Sequence, residues 1–309
     1  MSPDPRFRFD FGVFPPLCRI HPGKSIEINL PDSDGLGPDL RPQPREWFDL
    51  RSKSRFPGNP VYGPVHVVGA QPGDSLEISF EKITPNRSVA RTWIAPNHGF
   101  LPAKLVRGSL SRRMPSRMIL WKLSKRTARI SNPFGSRVPA INLAPFLGCV
   151  GTTDPAQTRL SSLEAGSHGG NIDLPDLQVG STLWLPVSVP GGLLYLGDMH
   201  AAQGQGECVG GALEVSGSIR VRCRLNKKAR LRWPRYRTHK GRGCIVVQPR
   251  LENGIRLSLA EMIQWLVEEG WNRYDAYLVI SQTCQFKLGG INARWCVVAC
   301  FLPDSNLAR

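Results

Sequence analysis

His21-Pro22-Gly23-Lys24-Ser25-Ile26-Glu27-Ile28-Asn29-Leu30 and Gln71-Pro72-Gly73-Asp74-Ser75-Leu76-Glu77-Ile78-Ser79-Phe80 repeat one pattern at a spacing of fifty residues. In each, Pro-Gly makes a turn, and the residues after it alternate between polar and apolar. Val179-Gly180-Ser181-Thr182-Leu183-Trp184-Leu185-Pro186-Val187 is a looser third copy. Units of turn followed by half-buried strand build sandwiches or barrels. Two clear copies are too few for a solenoid.

The rest of the chain extends this reading. Residues 36–58 are rich in Pro and Arg and form a loop, after which Asn59-Pro60-Val61-Tyr62-Gly63-Pro64 opens a strand. Met114 to Val150 reads as strands broken at Asn132-Pro133 and Gly135. Gly192-Leu193-Leu194-Tyr195-Leu196 is a buried strand. One helix is expected, opened by the capping box Ser258-Leu259-Ala260-Glu261. It carries Leu259, Met262, Ile263, Leu266 and Val267 on one face and stops at Gly270. Tyr274 to Gln282 and Arg294 to Leu302 then read as closing strands. The expected fold is mostly β, sandwich- or barrel-like in its N-terminal and central parts, with a smaller α+β C-terminal part. The corresponding divisions are 1–160, 161–250 (which carries the site motifs) and 251–309, either as separate parts or as one intertwined unit.

With 309 residues, 41% hydrophobic and 21% charged, the composition is that of a globular protein with a sizeable core. Gly 31 and Pro 27 suit many strands joined by turns. No apolar run reaches 18 residues, and Met1-Ser2-Pro3-Asp4-Pro5-Arg6 lacks the form of a secretory signal, so a cytoplasmic chain without a membrane span is expected. The eight cysteines include no Cys-x-x-Cys pair, which argues against a zinc ribbon and a disulfide scaffold.

The net charge of +16 is local. Residues 104–137 hold ten Lys/Arg and residues 219–250 hold twelve, neither with an acid; the remainder holds 18 basic and 24 acidic residues. Arg220, Arg222 and Arg224 alternate with Val221, Cys223 and Leu225, which describes a strand with one cationic face. A solvated face is the first reading, an acidic partner the second. No nucleic-acid-binding motif accompanies the charge.

Candidate chemistry concentrates in Leu196-Gly197-Asp198-Met199-His200-Ala201-Ala202-Gln203-Gly204-Gln205-Gly206-Glu207. Asp198 and His200 are two apart, so an extended chain presents them on one face. The glycines that follow allow a reversal that returns Glu207 toward that face. Carboxylates and an imidazole gathered this way suit a metal site or an acid–base pair. Gly166-Ser167-His168-Gly169-Gly170-Asn171-Ile172-Asp173 is a second polar glycine loop, linked to the first through a strand and Pro190-Gly191-Gly192. Asn97-His98-Gly99 offers another imidazole, and Asp32-Ser33-Asp34-Gly35 an acidic turn.

Taken together, these residues resemble the acetamidase/formamidase family of amide hydrolases. The Gly197–Glu207 run resembles its most distinctive motif, and Gly169-Gly170-Asn171-Ile172-Asp173 with Gly180-Ser181 and Leu185-Pro186-Val187 resembles the segment before it. Asn59-Pro60, Gly63-Pro64, Pro72-Gly73-Asp74, Asp32–Gly35, Pro145–Cys149 and Trp233-Pro234-Arg235 also fit, in order, from about residue 20 to 303. The resemblance implies hydrolysis of short aliphatic amides such as formamide or acetamide, a small pocket selecting short acyl groups, homo-oligomers, and divalent metal such as zinc or calcium. Combined with the residues, it assigns Asp198, His200 and Asp32 to a metal, and Asp198 and Glu207 to catalysis, with Glu207 as general base. Gly170, Asn171, Asp173, His98 and His168 are assigned to substrate binding. Gln205 stands where the family motif commonly has Asp, and no acid lies near Gln285. The rivals are a metal-free carboxylate pair, Glu207 with Asp198, and a catalytically impaired member that binds an acidic partner through the basic segments.

Overall fold

The computed structural model describes residues 6–40, 58–101, 114–135, 138–154, 159–227, 230–291 and 294–307. The chain folds into two large, mainly antiparallel sheets laid face to face, with a smaller antiparallel sheet beside them and two helices at the C-terminal end. In the eight-stranded sheet the order runs Gln285–Leu288, Cys296–Pro303, Gly241–Gln248, Arg235–Thr238, Thr182–Pro186, Ser75–Pro85, Gly217–Asn226, Ser25–Leu30. All three copies of the turn–strand unit therefore lie in one sheet. Two are direct neighbours, and the third is separated from them by Gly217–Asn226 alone. The basic segment of the notional cationic face is thus an inner strand flanked by two copies of the repeat.

That placement accounts for the charge. Arg220 pairs with Glu27 at 3.2 Å, Arg222 with Glu81 at 2.6 Å and Arg224 with Glu77 at 3.0 Å, each across a strand boundary on the outer face. Lys82 also holds Glu27 at 2.9 Å. Opposite charges at facing positions stabilise a sheet where like charges would splay it. The outer arginines are matched by glutamates of the repeat units. The first reading, a solvated face, is the one the sheet supports. Residues 104–113 and 136–137 of the other basic segment lie outside the described residues.

The second large sheet centres on Leu194–His200, which runs between Val61–Val67 and Phe146–Gly151; Gly169–Asn171 pairs with the far edge of Phe146–Gly151. The main core fills the space between the sheets. Leu76, Ile78 and Phe80 come from one side, and Val65, Leu147, Val150, Leu194 and Leu196 from the other. Leu194–His200 is buried along its whole length, which explains why its apolar run does not alternate.

The C-terminal part departs from the expected pattern in two places. The helix spans Leu251–Glu268, beginning well before the capping box. Ser258 sits buried inside it, its hydroxyl donating to the Ile255 carbonyl. The signal was hidden because the first turns contain Gly254, a poor helix residue that is needed here: a Cβ at 254 would come within 2.6 Å of Val298. The expected strand at Tyr274–Gln282 is instead a second helix, Arg273–Thr283. Asn272 caps it by accepting from the backbone N–H of Tyr274 at 2.9 Å. Only Ala276 and Ile280, one turn apart, are buried, while Tyr274, Tyr277 and Leu278 are exposed, so the sequence carries little amphipathic contrast. The two helices cover the outer face of Gly241–Gln248 and Cys296–Pro303 through Met262, Leu266, Ala276 and Ile280 against Cys244, Cys300 and Leu302. Among the described residues no helix is long and apolar enough to cross a membrane.

Candidate active site

The strand that runs through the centre of the second sheet delivers the site. Asp198 has φ +59, a left-handed conformation inside a strand that favours glycine and is uncommon for other residues. Asp198 and His200 meet as their spacing requires: His200 Nε2 lies 3.3 Å from Asp198 Oδ1. On the neighbouring strand, between Leu147 and Cys149, which pair with Met199 and Gly197, stands Gly148. A Cβ there would come within 2.5 Å of both Asp198 Oδ2 and Asp173 Oδ1, and 2.8 Å from the His200 ring. The missing side chain makes room for the acids.

Asp173, also at positive φ (+49), is set by its own N–H, which donates to the Gly148 carbonyl at 3.1 Å. Its carboxylate joins Asp198 and His200 in one group whose ligand atoms all lie within 4.8 Å of one another, every member buried. His200, Glu207 and Glu214 form a second group of the same size. The reversal expected after Gly204 therefore does return Glu207 to the histidine. The loop carrying it is fastened at both sides: Gln203 Nε2 donates to the Asp173 carbonyl at 2.7 Å, and Gln205 Oε1 accepts from the Leu288 N–H at 2.5 Å. Gln205 belongs to neither group. Its side chain docks the loop on Gln285–Leu288.

Glu214 is the acid the sequence reading missed. Its Oε1 lies 3.4 Å from His200 Nε2 and accepts from the Ala212 N–H at 2.9 Å. A lone acid between Leu213 and Val215 was the available signal, and nothing in its spacing tied it to His200. Burial pushes its carboxyl up to about 8, with Asp198 and Glu207 adding to the effect against His200. Burial likewise raises Asp173 well above the usual carboxylate range, helped by Glu207 and Asp198. Burial disfavours the His200 imidazolium, but the carboxylates of Glu214 and Asp198 outweigh it and raise its pKa well above the ordinary value. Asp173 Oδ1, Asp198 Oδ1, Glu214 Oε2 and His200 Nδ1 are all buried without a hydrogen-bond partner.

Asn171 borders the group and is held on both sides of its amide. Its Oδ1 accepts from the Cys149 thiol at 2.7 Å and from Asn59 Nδ2 at 3.3 Å, while its Nδ2 donates to Asp173 Oδ2 at 2.7 Å. Burial and the charges of Asp198 and Asp173 push the Cys149 thiol well up, so it serves as a donor and not as a nucleophile. Gly170, at φ +91, pairs with Val150 and keeps the strand close.

Two sequence assignments lie elsewhere. Asp32 is fully buried, but its oxygens are already taken. Oδ1 accepts from the N–H groups of Asp34 and Leu36, and Oδ2 is 2.7 Å from both Arg87 and Arg91. It is a lock on the Val89–Ile94 strand, outside both ligand groups. His168 is buried edge-on against Phe11 and borders a separate cavity with Asp154, Glu164 and Arg294. His98 does line the site. It shares the wall of a cavity of about 470 Å³ with Asn59, Arg91, Asn171, Asp198, Glu207 and Glu214.

Similarity to known proteins runs through the segments that build this site. Residues 114–241, which contain Gly148, Asn171, Asp173, Asp198, His200, Glu207 and Glu214, match the model of the acetamidase/formamidase family. The chain is related to the acetamidase/formamidase family. A formamidase of Methylophilus methylotrophus is 26% identical over 257 residues, 69% of this chain and 62% of that protein. An acetamidase of Mycolicibacterium smegmatis is 26% identical over 253 residues, 62% of each. The chain thus spans less than two thirds of the length of these family relatives. The crystal structure of an acetamidase from Yersinia enterocolitica superposes with a TM-score of 0.82 at 27% identity, covering 98% of this chain and 90% of that one.

Proposed function

We propose that the chain hydrolyses short linear amides, of the formamide or acetamide type, to ammonia and the carboxylate. The observation that carries this reading is the cluster of buried Asp173, Asp198 and His200 with Glu214 and the half-buried Glu207 beside a cavity, formed by the same segments whose sequence is shared with the amidase family.

The cluster also supports a divalent cation. Carboxylates packed around one imidazole in a buried space repel one another unless they are protonated or neutralised by a positive charge. Their orphaned oxygens and the space cleared by Gly148 fit an ion, and oxygen and imidazole nitrogen are ligands suited to zinc, with carboxylate oxygens suited also to calcium. Asp173, Asp198 and His200 would hold it, with Glu214 at the rim. A bound cation supplies Lewis acidity toward the amide carbonyl and lowers the pKa of water.

The protein groups carry the remaining steps. Glu207, on the cavity wall, takes a proton from water as the water oxygen bonds to the carbonyl carbon. The carbon–nitrogen bond then breaks, and Glu207 returns the proton to the leaving nitrogen, giving ammonia and the acid. The second N–H of Asn171 Nδ2 is directed by the fixed amide and can donate to the carbonyl oxygen as it gains charge. Assembly into homo-oligomers belongs to the same reading and is measured by analytical ultracentrifugation.

The test is ammonia release from formamide, acetamide and propionamide before and after chelation. Activity lost on chelation and restored by zinc or calcium supports the reading with its cation. Activity indifferent to exhaustive metal removal, checked by elemental analysis, moves the chemistry to Glu207 and Asp198 alone. Asp198→Asn and Glu207→Gln should each abolish turnover; full activity in both ends the assignment.

A further inference from the structure

Resting on the amidase reading, we infer that the same site accepts, beyond short amides, primary amides with a longer apolar or aromatic acyl group. The first reason is size. A cavity of about 470 Å³ has the volume of roughly fifteen waters at ~30 Å³ each, whereas acetamide is no larger than a few of them. Among the described residues the walls form an open cleft and not the small slot, rejecting long acyl groups by volume, that the family resemblance implied.

The second reason is the chemistry of the wall. Trp93 and Met118 face each other in the paired strands Val89–Ile94 and Arg117–Leu123, so their side chains lie on one face, and both border the cavity. Leu163 borders it as well, and the acids Asp198, Glu207 and Glu214 lie along the same cavity. Trp93 is 42% exposed and Leu163 46% exposed. Large apolar side chains left open beside a polar reaction centre are what a ligand with a polar head and an apolar tail would cover. The amide head meets Asn171 and the acids, and the tail lies along Trp93 and Met118. Chemistry at the head is unchanged: water adds to the carbonyl carbon, and ammonia leaves with the proton passed on by Glu207.

The experiment is a comparison of kcat/KM for formamide, acetamide, butyramide, hexanamide and phenylacetamide with the protein as purified. Each methylene that reaches the apolar wall should raise kcat/KM about fourfold, the ratio equivalent to the transfer of one CH₂ from water. Hexanamide and phenylacetamide should exceed acetamide more than tenfold. In Trp93→Ala the phenylacetamide-to-acetamide ratio should fall at least tenfold, and in Trp93→Phe most of it should survive. Turnover confined to formamide and acetamide, or a ratio unmoved by Trp93→Ala, overturns the inference and leaves the amidase reading standing. No ammonia from any of the five overturns both.

Discussion

Gly148 lies beside Asp198, between the strand pairs Leu147 with Met199 and Cys149 with Gly197, and a Cβ at 148 would come within 2.5 Å of the Asp198 carboxylate. The glycine is there for space, since its backbone conformation is not one that side chains avoid. Gly148→Ala should therefore shift Asp198 and Asp173 by a fraction of an ångström to an ångström. A misplacement of that order costs about a hundredfold in rate. Ammonia release should drop to that extent while the circular dichroism spectrum stays native; wild-type activity would show that the cluster geometry is not what drives turnover.

The Cys149 thiol is predicted to act by orienting Asn171. In Cys149→Ala the Asn171 Oδ1 loses its 2.7 Å donor and keeps the longer contact from Asn59, while Nδ2 stays on Asp173. We expect kcat to fall about tenfold with KM little changed, a loss of order 1 kcal/mol or slightly more for one hydrogen bond. Cys149→Ser keeps a donor and should recover most of the rate. In the native protein a thiol reagent should label the exposed Cys208 and spare Cys149.

Asp32 is predicted to matter for stability and not for metal content. Asp32→Asn removes the carboxylate from Arg87, whose side chain is only 2% exposed. Leaving a buried charge without its partner costs about 3–5 kcal/mol. Thermal melting should show a clearly lowered midpoint, whereas metal bound per chain, measured by elemental analysis, should be that of the parent protein.

His168 should make the protein acid-sensitive. Burial pulls its pKa down to about 4 from the ordinary 6.5. Between those values the unfolded chain binds the proton and the folded one does not, so stability falls as pH falls from 6.5 to 4 and levels off below. The full effect is about 3 kcal/mol. Replacing His168 by Gln should flatten the pH dependence of the unfolding free energy over that window; an unchanged slope would locate the acid sensitivity elsewhere.

How far the sequence reaches is visible in single residues. The repeat around Ile26–Leu30 and Leu76–Phe80 was legible because half-buried strands alternate, and that alternation survives in any tertiary context. Asp198 and His200 were legible because two residues apart on a strand share a face, and Glu207 because Gly204 and Gly206 mark the turn before it. Glu214 was not legible, since its meeting with His200 depends on a bridge that closes the irregular loop between them and leaves no spacing behind. Asp32 misled for the opposite reason. An acidic turn looks like a ligand until Arg87 and Arg91, more than fifty residues away, are seen to occupy it. The second helix hid because only Ala276 and Ile280 face inward.

The docking of Gln205 on Leu288 has a bearing on how the protein comes into being. Asp198 and His200 are synthesised well before residues 285–291, yet the loop that positions Glu207 is held by backbone and side-chain bonds to Leu288 and Ile291. A nascent or prematurely terminated chain that ends short of Leu288 has its acids and its histidine but only the Gln203 fastening for the loop that carries Glu207. On the proposed mechanism, the base is then seated in full only once the last strands have left the ribosome.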